Sequence, residues 1–223
     1  LISTNIPDSV TSIGDRAFFE CSSLVDLTIP DSVVSIGDGV INRCPNLTNL
    51  QSKYAAEDGY CLIVDGVLVS FSGHNLTEFT IPDGVTALGE LAFYFCSNLE
   101  SITIPASVTS SGDYAFQYTP ALKSVHIADL AVWCSIEFNN GLANPLTNSA
   151  ELYLNGELVV DLVIPDSVTK IGRGAFRDCS SVISVTIPNS VTEIGEYAFS
   201  YCSSLARVYC KATTPPSLGG SVF

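Results

Sequence analysis

Eight cysteines, two histidines and 23 carboxylates are the side chains of this 223-residue sequence with the chemistry to transfer groups or hold a metal. Their spacing argues against both uses. No Cys-x-x-Cys pair occurs, so the thiolate spacing of a zinc site is missing. A serine nucleophile needs a histidine base and a strained Gly-x-Ser-x-Gly elbow, and that motif is absent too. Only His74 and His126 are available as bases, and both fall at positions that the pattern of the chain marks as exposed. No Asp-x-Asp-x-Asp run offers calcium a cage of oxygens. Five cysteines, Cys21, Cys44, Cys96, Cys179 and Cys202, fall in one column of a repeat, with Thr119 standing in the same column. Parallel neighbours in a stacked column hold their Cβ atoms too far apart for an unstrained bridge, so these read as small buried thiols. Cys61, Cys134 and Cys210 lie off the column, which leaves one bridge among them open. The residues therefore point to no enzyme, no metal and no cofactor.

The bulk composition narrows the partners. A net charge of −14 leaves little to displace the counterions of a nucleic-acid backbone. Hydrophobic residues make up 47% and charged residues 14%, the reverse of a disordered chain. No apolar run approaches the roughly 18 residues of a membrane span. There is no basic-then-apolar leader and no methionine, so the sequence reads as a fragment of a longer product.

What positions these side chains is a repeat. An Ile-Pro pair recurs at Ile6, Ile29, Ile81, Ile104, Ile164 and Ile187, each followed at once by proline. Aligned on that pair, residues 6–51, 81–126 and 164–209 form regular coils of 23 residues, and 52–80 and 127–163 form longer variants. We number the eight coils in chain order. Each regular coil reads approximately I-P-x-S-V-T-x-I-G-x-x-A-F-x-x-C-x-x-L-x-x-L-x. The Leu-x-x-Leu-x-Ile ending alternates like a short strand with one buried face, and proline then stops the strand at a turn. Asp8, Asp31, Asp83 and Asp166 are turn residues. Gly14, Gly37, Gly89, Gly112, Gly172 and Gly195 fill one column, as either a positive φ or a close backbone approach would require. Asp15, Asp38 and Asp113 stand where they would cap a short helical turn that carries Ala-Phe inward. No coil buries enough to fold alone, so the strands pair into a shared parallel sheet along one solenoid, residues 1–223. Leu1 and Ile6 match the close of a preceding coil, while the tail KATTPPSLGGSVF leaves the pattern without a polar cap.

The 23-residue period with IPDSVTSIGDRAF-x-x-C-x-x-L resembles the BspA-like (Treponema-type) leucine-rich repeat. The segments EDGYCLIVDGVLVSF, LAVWCSIEFNNGLANPL and LYLNGELV resemble variant coils of Bacteroidales surface proteins of that type. The resemblance implies a β-rich right-handed superhelix, display at the cell surface or secretion, and adhesion to a host matrix protein, a cell-surface protein or a glycan, by a monomer. One departure stands out. No asparagine ladder is visible, and Ser9, Ser32, Ser107, Ser167 and Ser190 stand where hydroxyls would satisfy the turn instead.

The longer coils contain Asp65-Gly66 and Asn155-Gly156 between apolar runs, which predicts two hairpins. Asp129 caps a short helix carrying Leu130 and a buried Trp133. Such insertions either carry binding or merely pad a bend. Two exposed stripes run along the predicted sheet: Thr28, Gln51, Thr80, Thr103, His126, Val163, Thr186, Tyr209, and beside it a second led by Asp26, Glu78 and Arg207. From these, Asp26, Thr28, Glu78, Thr80, Thr103, His126, Arg207 and Tyr209 are the binding candidates, although threonine equally suits a strand that only stays soluble. Phe19, Tyr94, Phe95, Tyr118 and Tyr201 form an aromatic stripe on the turns, either packing or anchoring, with Phe95 beside Tyr118. A recognition module is the reading that fits best. A spacer holding another domain away from the cell is the alternative.

Overall fold

A computed structural model describes residues 2–147 and 150–223. The expectation for Leu1 lies outside the described residues. The chain is a solenoid of stacked coils whose strands pair in parallel at the 23-residue offset, for example Ser3 with Asp26 and Asp26 with Asn49. The wall they form is not continuous. It runs as three panels: Ser3–Asn5, Asp26–Thr28, Asn49–Gln51; then Glu78–Thr80, Ser101–Ile104, Ser124–Ile127, Glu151–Leu154; then Asp161–Val163, Ser184–Ile187, Arg207–Cys210. The breaks fall at the two long coils. In coil 6 the strand Glu151–Leu154 extends the middle panel, turns at Asn155-Gly156, and returns antiparallel as Glu157–Leu158. Asn155 and Gly156 both have positive φ, as the sequence predicts for this hairpin.

A second ribbon of two-residue strands lies after each proline turn, as in Ser12–Ile13 beside Ser35–Ile36 and Lys170–Ile171 beside Glu193–Ile194. In coil 3 the hairpin Cys61–Val64/Val67–Phe71, turning at Asp65-Gly66, supplies this ribbon's strand by pairing with Ala87–Leu88. Asp129 caps Leu130–Ser135 by accepting the Ala131 and Val132 N–H groups, and Trp133 beneath it is 2% exposed.

The glycine column is explained by close approach, not by positive φ. None of its six members is left-handed. A Cβ on Gly112 would stand 2.6 Å from the Glu90 backbone nitrogen of the preceding coil, and one on Gly195 2.5 Å from that of Arg173. A Cβ on Gly14 would meet nothing within 4 Å.

The segment after each glycine is not the expected short helical turn. It is a run of tight turns with left-handed residues two and six positions past the glycine: Arg16 and Glu20, Leu91 and Phe95, Tyr114 and Tyr118, Tyr197 and Tyr201. Its backbone is satisfied across coils. Arg16, Phe18 and Glu20 donate N–H to the carbonyls of Asp38, Val40 and Asn42, and Leu91, Phe93 and Phe95 to those of Asp113, Ala115 and Gln117. A helix would spend these donors within its own turn, whereas here they bind the next coil. The expected caps are therefore corrected. Asp15 accepts the N–H of Asp38 in the next coil at 3.0 Å, and the buried Oδ1 of Asp113 has no partner. Of the turn serines, Ser32 donates to the Val10 carbonyl at 2.8 Å, while the buried hydroxyls of Ser107 and Ser190 bond nothing.

The column phenylalanines stack along the core. Phe93 lies 5.1 Å from Phe116 at 9°, and Phe176 5.3 Å from Phe199 at 5°. The tail rejoins this pattern. Ser217–Leu218 pairs with Glu193–Ile194, Gly219 fills the glycine column, and Phe223 stacks on Phe199 at 5.6 Å.

Candidate functional site

The wall candidates do not form one stripe. Asp26 and Thr28 belong to the first panel, opposite Asn49 and Gln51, with the Asn49 amide donating to Asp26 at 2.9 Å. Arg207 and Tyr209 belong to the third, opposite Ser184 and Thr186. The middle panel brings four together: Glu78 beside Ser101, and Thr80, Thr103 and His126 in one register row. The row continues to Tyr153, which the periodicity missed, and then to Leu158 on the returning strand. The Tyr153 ring stacks on His126 at 4.7 Å and 23°, and its hydroxyl donates to Glu151 at 2.8 Å. That hydrogen bond, together with burial and the Glu151 charge, raises the Tyr153 pKa. The signal lay in the Glu-x-Tyr alternation of ELYL, read only as a hairpin arm.

His74 is not exposed. It is 7% exposed, its ring stacked on Phe71 at 6.4 Å, and its Nε2 accepts the Arg43 N–H at 2.7 Å. The reason is the ladder just described. Coil 3 lacks the regular turn, so the Gly39, Ile41 and Arg43 donors of coil 2 must find other acceptors. They take the Val69 carbonyl, the Ser70 hydroxyl and the His74 ring. Asn42, fully buried, closes the splice: its amide donates to the Leu91 carbonyl at 2.7 Å, and its Oδ1 accepts from Ser70 and from the Phe71 N–H. Asn144 does the same in coil 6, donating to the Gly174 carbonyl at 2.7 Å beside the Trp133 indole, which donates to Ala175. Burial lowers the His74 pKa to about 4, with the Arg43 charge adding to the effect and the Ser72 and Tyr94 carbonyls opposing it. A buried imidazole serving as a backbone acceptor is no general base.

A short asparagine ladder exists after all. Asn46, Asn75 and Asn98, one per coil, donate to the Ser22, Pro45 and His74 carbonyls of the coil before. The buried thiols are equally structural. All eight cysteines are free. Cys44 and Cys202 donate to the Phe18 and Phe176 carbonyls at 3.0 Å, and burial pushes their pKa values up to about 11 and 12. A thiol held in that way is a poor nucleophile at neutral pH. Among the described residues no cluster of His, Cys, Asp or Glu can hold a metal, and no helix is long and apolar enough to cross a membrane.

Six copies of the BspA type leucine rich repeat region match residues 1–57, 69–140 and 149–223. The chain belongs to this family. Its stacked glycine, Ala-Phe and Cys columns are the family's repeat seen in three dimensions. Among solved structures, it is similar to a leucine rich cell surface protein of Faecalibacterium prausnitzii, at 28% identity and a TM-score of 0.54, over 93% of this chain and 53% of that one. It is also similar to a leucine-rich repeat protein of Bacteroides ovatus, at 26% identity and a TM-score of 0.50, over 100% and 64% of the two chains. A leucine-rich repeat protein of Eubacterium ventriosum, 24% identical with a TM-score of 0.55, shares the fold over 97% of this chain and 62% of its own. The chain thus spans between about half and two thirds of the length of these relatives. No curated protein matches it.

Proposed function

We propose that this chain is one solenoid unit, residues 1–223, that works at the cell surface or outside the cell as a recognition and adhesion module. Its partner is a host or microbial surface macromolecule, a protein or a glycan, gripped by a monomer. The observation that carries this reading is the row Thr80, Thr103, His126 and Tyr153. Four side chains share one register on the middle panel, where a stacked imidazole and phenol are ready to cover an apolar contact. Glu78 on the same panel supplies charge, with Asp26 and Thr28 on one flank and Arg207 and Tyr209 on the other. A surface-displayed relative supports the location, and an extended repeat surface suits a large partner. The test is a screen against immobilised matrix proteins and glycans, followed by Tyr153→Ala, His126→Ala and Thr103→Ala. Loss of binding in these variants, with Tyr114→Ala on the turn side unchanged, supports the wall. A folded chain that captures nothing would favour a spacer.

A further inference from the structure

The splice at coil 3 leaves a gap on the turn side of the solenoid. In the column six residues past the glycine, side chains project as Glu20, Arg43, Phe95 and Tyr118, but coil 3 contributes Ser72, which is buried. The missing projection opens a notch of about 430 Å³ with His74 at its floor. Arg43 and Glu20, joined as an ion pair, form one wall. Phe95 continues that wall, with the Arg43 guanidinium 4.3 Å above its ring and the Tyr118 ring centroid 4.5 Å away. Asn75, Asn98, Ser22 and Ser97 stand at the rim.

The unspent hydrogen-bonding groups define what fits. The Asn75 and Asn98 amide nitrogens are committed to the Pro45 and His74 carbonyls, which pins both amides and leaves each Oδ1 as a fixed acceptor. The Ser22 and Ser97 hydroxyls bond no described group, and one Glu20 oxygen and the other guanidinium N–H groups of Arg43 remain available. Donors and acceptors thus line the notch together, while the charges cancel. An anion would face Glu20 and a net charge of −14, and a cation would face Arg43. An extended peptide binds by backbone pairing, but the nearby N–H groups of Gly39, Ile41 and Arg43 are already spent on coil 3.

The geometry points to a second binding site, distinct from the wall: the notch between coils 2 and 4 takes a neutral saccharide unit. The sugar's C–H groups lie against the part of Phe95 that lines the notch, and its hydroxyls meet Asn75, Asn98, Ser97 and Glu20. The volume is within the range of small-molecule pockets. The experiment titrates the folded 223-residue chain with free neutral hexoses and N-acetylhexosamines, with sialic acid and glucosamine as charged controls, and follows the side-chain amides of Asn75 and Asn98 by NMR. A neutral sugar is expected to shift both amides, and the charged sugars are expected to bind at least tenfold more weakly. Asn75→Ala and Ser97→Ala, on the rim, should each weaken binding about fivefold, and Ser22→Trp should abolish it. His126→Ala and Tyr209→Ala on the wall should leave it unchanged. Because the amide shifts are read on the unmutated chain, the result does not depend on any variant folding. Absence of any shift with neutral sugars would overturn the proposal, as would equal binding of a charged sugar, a shift confined to the wall, or displacement of the sugar by an unstructured peptide that binds the notch more tightly.

Discussion

Gly14 and Gly172 occupy the same column, yet the structure assigns them opposite responses to alanine. A Cβ on Gly172 would run into the Ile136 carbonyl oxygen of the coil beneath and lie 2.9 Å from its carbon. Ordinary carbon–carbon contact is about 3.5–4.0 Å, so the coils must part by roughly 0.6–1 Å. That separation breaks the 2.7 Å bond from the Gly172 N–H to the Cys134 carbonyl. Overpacking of this kind costs about 1–3 kcal/mol, and the lost hydrogen bond adds about 1. The sum, roughly 2–4 kcal/mol, should lower Tm by about 5–15 °C in a domain of this size. Gly14 has no neighbour within 4 Å and no positive φ, so Gly14→Ala removes only unfolded-state freedom and should stabilise by about 0.4–1 kcal/mol. The assay is built in. Trp133, the single tryptophan, is buried in the coil that Gly172 touches, so its fluorescence reports that interface, while far-UV circular dichroism reports the whole stack. If both glycines lose the same stability on mutation, the column is set by backbone conformation and the close-approach account is refuted.

Other perturbations follow from the splice and the acidic edge. His74 has a folded pKa of about 4, below an unfolded value of about 6.5. The unfolded chain therefore binds more protons between those values, and stability should fall by about 3 kcal/mol as pH drops through that window. Urea midpoints at pH 7 and pH 4 test this, and His74→Gln should flatten the difference. Asp38 behaves in the opposite sense. Burial raises its pKa, aided by Asp15 and Glu90, so its ionised form is held at a cost once pH exceeds the folded value. Asp38→Asn should raise Tm at pH 7, with the gain vanishing on acidification; an unchanged Tm at pH 7 would contradict it. Asn42→Leu should cost about 3 kcal/mol, because it takes the acceptor from the Ser70 hydroxyl and the Phe71 N–H and leaves the Leu91 carbonyl only the Tyr94 N–H. Chemical denaturation of that variant beside the exposed Asn49→Leu separates the two roles.

Much of the fold is legible because periodicity exposes whatever each coil must repeat. Ile-Pro, the glycine column and Ala-Phe are demands placed on every turn, and both hairpins carry their own Asp-Gly and Asn-Gly turns. What the sequence hides are groups used once. Ser70, His74 and Asn42 replace backbone acceptors that one truncated coil fails to provide, and no repeat marks a substitute. His74 therefore looked like a surface residue. The tail was obscured by one extra residue, since Ile194 pairs with Leu218 at an offset of 24. The helical turns failed for a further reason: Ala and Phe beside an acidic residue suit a helix, but donors that must reach the next coil cannot also serve their own turn. On the wall, Tyr153 was lost because the long coil supplies two strands where the pattern allowed one.

Because an imidazole stands where a carbonyl would otherwise be, the bond that Arg43 makes to its neighbour can be cut by a proton, with no movement of the chain. The ladders of coils 4 and 7 have no such weak link, because peptide oxygens accept throughout. Acidic surroundings should thus loosen the first two coils while the later ones hold, giving the molecule an acid-labile end and an acid-tolerant one.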